Sequence, residues 1–244
     1  MSVIVEGFGW LFNPDNWPGE NGIGHRVAQH LWYSLVATVA AIAIALPIGL
    51  AIGHTGRGRF IAANVAGIWR AIPTIGVVMI VFRWQPLSVW PVIISLVLLA
   101  IPPVVLNTVA GIDSVPDDVK DAAKGMGLTG WQSLWQVEFP NGLPLILAGV
   151  RSAANQVIAT ATVAGFVGLG TLGVFIYTAS QTQQYDVMAG ASIAVILLVL
   201  AVEALFALLQ RVVVSEGVRA RTPRRMGRAA TVPAIVTLPS ESTA

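Results

Sequence analysis

Five stretches of this chain, residues 31–53, 61–82, 89–112, 143–168 and 187–210, are long and apolar enough to cross a lipid bilayer, which takes about 20 such residues in a helix. This feature narrows the fold more than any other. An unpaired backbone group is too costly in lipid, so each crossing segment must close its own hydrogen bonds as a helix. Composition agrees: 55% of the 244 residues are hydrophobic and only 11% charged, against about 25% charged in soluble domains. The sequence predicts an all-α, polytopic transmembrane bundle of about five spanning helices. One membrane domain at 31–212 follows an outer segment at 1–30 and precedes a basic tail at 213–244. Residues 3–12 are apolar but contain Glu6, lack a basic start and are too short to span, so an interfacial segment is expected there. From residue 222 the tail turns to Pro, Ala, Thr and Ser, a composition that predicts disorder.

Orientation follows from the basic residues, which collect in cytoplasmic loops. With the C-terminus inside, that side holds Arg57, Arg59, Lys120, Lys124, Arg151, Arg211 and the tail cluster Arg219, Arg221, Arg224, Arg225 and Arg228, while the outer side holds Arg26 and Arg83. Arg70 lies within a stretch and votes for neither. The N-terminus is expected outside and the C-terminus in the cytoplasm. The tail cluster also explains the pI of 9.4, and a basic flank on a membrane protein marks a side rather than a nucleic-acid site. Trp32, Trp84 and Trp90 sit at the limits of stretches, where indoles favour the headgroup region.

The longest polar region between stretches, 113–141, reads as structured. Asp117, Asp118 and Asp121 open a helix near Pro116, with Lys120 and Lys124 further along, as the helix dipole prefers. Gly125 and Gly127 offer a break. Trp131, Leu134 and Trp135 then recur at helical spacing, and Pro140 is expected to stop this second helix. Two tryptophans on such a helix either anchor a partner surface or pack back onto the bundle, and spacing leaves both open.

Within this loop stand Asp121-Ala122-Ala123, three residues to Gly127, then nine to Val137-Glu138-Phe139-Pro140. This resembles the EAA loop of ABC-importer permeases, Glu-Ala-Ala, three residues, Gly, nine residues, Ile, any residue, Leu-Pro, with Asp for Glu, Val for Ile and Phe for Leu. Arg70-Ala-Ile-Pro-Thr74, Gly149-Val-Arg151 and Gly168-Leu-Gly-Thr-Leu-Gly173 extend the resemblance, which is most similar to the subfamily importing glycine betaine, choline and carnitine. The resemblance implies a type I importer fold in the bacterial inner membrane. It also implies two copies of an ATPase subunit, a second permease chain, identical or paralogous, and an extracytoplasmic substrate-binding protein. Asp121, Ala122, Ala123, Gly127, Trp131, Trp135 and Pro140 become the expected ATPase-coupling residues. No cofactor is expected on this chain. ATP and Mg belong to the partner, since no Gly-x-x-x-x-Gly-Lys-Ser/Thr sequence occurs here.

Ionisable and polar residues inside spans default to functional readings. Arg70, followed by Pro73 and Thr74, is expected to line the translocation path. Asn155, Gln156 and Thr160 stand among small residues in the fourth stretch, with Asn107 after Pro102 and Pro103 in the third. They suit a path or a helix–helix seam equally. Glu203 is read as a structural pair in preference to a proton site. His25, His30 and His54 fall outside the apolar stretches, which disfavours an intramembrane hydrolase. Gly168, Gly170 and Gly173 match a dinucleotide fingerprint in letters only, because no strand precedes them. No cysteine is present, so thiol chemistry is excluded. Two rival readings stay open: a permease for another small solute such as an amino acid, and an ion-coupled secondary transporter. The lack of visible internal repeats argues against the second.

Overall fold

The computed structural model describes residues 2–71, 74–84 and 88–213, and the described part is helical throughout. In chain order the helices are α1 (Val3–Phe12), α2 (Ile23–Thr55), α3 (Arg59–Ala71), α4 (Thr74–Trp84), α5 (Trp90–Asp113), α6 (Asp117–Gly125), α7 (Gly130–Ser133), α8 (Phe139–Thr160), α9 (Gly173–Thr182) and α10 (Tyr185–Val213). Among the described residues, α2, α5 and α10 are each long and apolar enough to cross a membrane alone. The fourth apolar stretch becomes α8 plus a 3-10 segment, Ala161–Val167. The second is divided into α3 and α4, with residues 72–73 between them outside the described residues.

The core is a three-helix sandwich with α5 in the middle, packed by α2 on one side and α8 on the other. Its buried residues are mostly small or β-branched, among them Ala37, Ala41, Ala45, Ala100, Val104, Ala153 and Val157, with Leu96 the larger exception. Small side chains let helices approach closely where there is no hydrophobic force between them in lipid. A Cβ on Gly49 would come within 2.6 Å of Thr108, one on Gly53 within 2.8 Å of Ile112, and one on Gly149 within 2.4 Å of Asn107. The windows that mark α5 and α10 as spans differ sharply, 56% buried against 6%. Few residues of α10 are fully buried, and a spanning helix that leaves so much apolar side chain uncovered is one that meets lipid or another chain.

Several sequence expectations change here. The first helix starts at Ile23, ahead of the apolar stretch, because polar Arg26 and Gln29 satisfy one another at 3.0 Å and continue the helix beyond the apolar limit. His25, His30 and His54 therefore all lie in α2. His30 is fully buried, and its Nε2 donates to the Ile158 carbonyl of α8 at 2.8 Å. Pro140 does not stop a helix. The chain runs from α7 through a π turn, Leu134–Glu138, straight into α8, where Pro140 occupies the first turn. There the π turn shifts the ladder, Phe139 N–H reaching five residues back to the Leu134 carbonyl, and the proline that lacks an N–H sits beside that change of register instead of ending the helix. Arg151 lies well inside α8, paired with Glu203 of α10, so it leaves the tally of loop cations.

The 3-10 segment and α9 meet where no side chain fits. A Cβ on Gly173 would lie 1.8 Å from the Thr162 carbonyl oxygen, and one on Gly165 2.2 Å from the Gly173 carbonyl carbon. Gly168 differs: it has φ +74° and open space around it. Gly173→Ala is therefore expected to lower thermal stability in detergent more than Gly168→Ala. Overpacking against backbone costs about 1–3 kcal/mol or more, and the left-handed conformation about 1–2 kcal/mol for an L residue. Melting curves of the two variants check the order.

Before α2, the N-terminal segment is folded onto the bundle. Gly7 of α1 crosses Gly190 of α10, where a Cβ on Gly7 would stand 2.8 Å from the Gly190 nitrogen. Trp10 meets Phe175 edge-on at 5.2 Å, and Trp17 Nε1 donates to the Leu11 carbonyl at 2.8 Å.

Candidate functional site

One end of the bundle gathers the C-termini of α2 and α5, the start of α3 and α8, and the polar loop. Asp117 and Asp118 open α6, and Lys124 sits in its last turn, both favourable to the helix dipole. The helix ends in a Schellman turn. Leu128 N–H donates to the Ala123 carbonyl at 3.2 Å and Gly127 N–H to the Lys124 carbonyl at 2.9 Å, with Gly127 at φ +81°. Only glycine takes that conformation without strain. Gly125 remains helical and is the last residue of α6. Thr129 then starts α7 with a capping box: its hydroxyl accepts from Gln132 N–H, and the Gln132 side chain accepts from Thr129 N–H.

This loop has an inner and an outer side. Inward, Ala123 is buried, and Leu134 joins Leu50, Ile112 and Ile146 in a small apolar cluster drawn from α2, α5 and α8. Outward, Trp131 is 70% exposed, Met126 73% and Trp135 41%. Trp131 and Trp135 stand edge-on at 5.5 Å, and Trp135 continues to Phe139 at 5.1 Å. The tryptophans thus stack along one edge instead of packing back into the core. Asp121 is exposed and accepts from Lys124 Nζ at 3.0 Å. Ala122 is exposed beside it.

Two polar contacts that sequence reasoning missed lock this end. Glu138, only 4% exposed, accepts from Ser133 Oγ at 3.1 Å and from His54 Nδ1 at 2.8 Å. Arg59 donates to Asp113 and to the Gly53 carbonyl, tying the α2–α3 turn to the end of α5. A Glu within the loop motif and a His at the end of the first apolar stretch were visible. Their pairing, across 84 positions, was not.

The path candidates separate. Arg70 lies in α3 and Thr74 begins α4, but their side chains are outside the described residues. Asn107 donates to the Pro103 carbonyl at 2.8 Å and packs under Gly149 at the α5–α8 crossing. Asn155 turns to α10 and donates to Glu203 at 2.6 Å, beside the Arg151–Glu203 ion pair. Gln156, its neighbour in sequence, faces outward with Ser152, and Thr160 is half-buried. So Asn155 ties α8 to α10 and Asn107 packs at the α5–α8 crossing with its hydrogen bond kept inside α5, while Gln156 heads a polar, small-residue face that no described element covers.

Residues 43–216 match the family described as binding-protein-dependent transport system inner membrane component. The chain is 33% identical over 175 residues to the carnitine transport permease protein OpuCB of Listeria monocytogenes, covering 72% of this chain and 80% of the relative. It is 30% identical over 199 residues to the osmoprotectant import permease protein OsmW of Salmonella typhimurium, covering 78% and 91%. Its fold is similar to a chain of the MetNI methionine ABC transporter in an inward-facing conformation, with TM-score 0.67, 21% identity, and coverage of 79% of this chain and 96% of that one. Loop, fold and family agree, and the chain belongs to the binding-protein-dependent inner-membrane component family: it is a multi-pass permease subunit of an ABC importer, whose ATP hydrolysis takes place on a separate ATPase subunit.

Proposed function

We propose that this permease imports small osmoprotectants of the glycine betaine, choline and carnitine class. The observation that carries the reading is the likeness, over 72% to 80% of the chain, to permeases named for carnitine and for glycine betaine, carnitine and choline. Five crossings put the termini on opposite faces, and Arg57, Arg59, Lys120, Lys124 and Arg211 against Arg26 and Arg83 support an N-terminus outside and a C-terminus in the cytoplasm. The tail cluster adds to that asymmetry and lies outside the described residues. The outer cap proposed for 1–30 is cut back by α2, which begins at Ile23; 31–212 remains within the permease domain and 213–244 is the tail. Two permease chains, identical or paralogous, form the path, two ATPases drive it, and an extracytoplasmic binding protein delivers solute. Gln156 and Thr160 face the path or the second permease, and Arg70 with Thr74 lines the path.

Coupling runs through the loop, with Trp131 and Trp135 seated on the ATPase. Aromatic anchors at the centre of an interface contribute about 2 kcal/mol or more each, roughly thirtyfold in affinity. Trp131→Ala is expected to weaken ATPase association by that order, read by titrating the ATPase onto the permease in nanodiscs. The central test is uptake of labelled glycine betaine, choline and carnitine by the intact complex and its binding protein in liposomes. ATP-dependent uptake competed by these solutes but not by amino acids supports the proposal. Amino-acid uptake overturns the solute class, and uptake driven by an ion gradient without ATP overturns the mechanism.

A further inference from the structure

Glu138 occupies the position of the loop motif where the family pattern accepts any residue, yet in this chain it is the buried one, 4% exposed. Burying a carboxylate costs several kcal/mol unless it is paired and hydrogen-bonded. Here the partners are Ser133 at 3.1 Å, from the loop itself, and His54 at 2.8 Å, from the last turn of α2. We propose that the His54–Glu138 contact is a transmission strut: a pair of positioning residues that carries displacement of the coupling loop into α2, and through α2 into the packed α2–α5 pair. The proposal rests on the permease reading above and deepens it.

Three features give the contact this role. First, Glu138 is the last residue of the π turn that joins the loop to α8, and π turns are places where a helix changes register. A loop pushed from outside would pivot there, at the residue His54 holds. Second, the loop's other anchor, Leu134 in its cluster with Leu50, Ile112 and Ile146, is apolar and non-directional. The charge-assisted hydrogen bond is directional and short, so it sets the register between loop and α2. Third, α2 cannot yield beyond the contact. Gly53 and Gly49, about one and two turns before Gly56, lie against Ile112 and Thr108 with no room for a Cβ. Close-packed elements transmit displacement instead of absorbing it.

The test uses the intact complex with its ATPase and binding protein in liposomes, and reads solute moved per ATP hydrolysed together with the amount of ATPase co-purified. His54→Leu keeps bulk and removes the donor. It is expected to lower solute per ATP about tenfold, the factor represented by one lost hydrogen bond to a charged group, while ATPase co-purification and ATP hydrolysis persist. His54→Asn carries an amide nitrogen where Nδ1 stood, and is expected to remain within about twofold of the parent because that bond is retained. An unchanged ratio for His54→Leu overturns the strut, as does loss of the ATPase from the complex, or His54→Asn failing as badly as His54→Leu. A parent complex that shows no ATP-dependent uptake sinks the permease reading itself, and the strut with it.

Discussion

Replacing Arg151 by leucine is expected to cut the yield and thermal stability of the detergent-solubilised permease sharply, with much of the loss regained when Glu203 is also replaced by leucine. The pair joins α8 to α10, and Asn155 adds a second bond to the same carboxylate at 2.6 Å. α10 otherwise packs chiefly on α1, α9 and α8, and its outer surface carries bare apolar side chain, Leu200, Leu205 and Leu208 all being more than half exposed. Removing Arg151 leaves a carboxylate inside a spanning helix, at a cost of about 2.5–3.5 kcal/mol. Against a total stability of about 5–15 kcal/mol that is a large share. Removing both charges abolishes that cost and leaves Asn155 short of one acceptor, worth about 1–3 kcal/mol, so recovery is substantial but incomplete. Fluorescence-detected size-exclusion melting of the two single variants and the double variant checks this. A double variant no better than Arg151→Leu would mean that α10 is held by contacts other than the pair.

At the loop, Gly127→Val is expected to abolish most ATP-driven uptake while membrane insertion stays normal, with Gly127→Asn intermediate and Gly125→Ala near the parent. The ranking follows from the backbone. Gly127 alone of the two has a positive φ, +81°, and it closes the Schellman turn that aims α7, with Trp131, and the π turn that carries Trp135. A β-branched residue there is a genuine outlier, whereas asparagine tolerates the left-handed region. Open space surrounds the position, so the effect is conformational and not steric. It falls on an exposed loop, which leaves the bundle to insert unaided. Uptake assays at matched membrane content check the order, and full transport by Gly127→Val would detach the turn from coupling.

Much of the loop was legible because its signals are local. Pro116, the acidic first turn and the glycine turn act on the chain within a few residues, and helix ends are decided on that scale. Pro140 misled for the same local reason. Read alone a proline stops a helix, but at the start of α8, behind a π turn, it sits beside a change of register instead of ending the helix. The tryptophans were undecided by spacing, since helical period shows that Trp131 and Trp135 share a face without saying what that face meets. Only the seating of Leu134 among Leu50, Ile112 and Ile146 turns the tryptophans outward.

The sequence by itself determined the apolar helices, the loop with its motif and the family to which they belong, because hydropathy over a span and backbone preference at a turn are properties of contiguous residues. The tertiary structure alone decided the partners. Asn155 and Gln156 are neighbours in the chain, yet one grips Glu203 and the other faces away. His54 finds Glu138 and Arg59 finds Asp113 across 84 and 54 positions. Such pairings depend on which helices lie side by side and in what rotation. That is settled by small residues that let backbones close to contact, and no single helix carries the information.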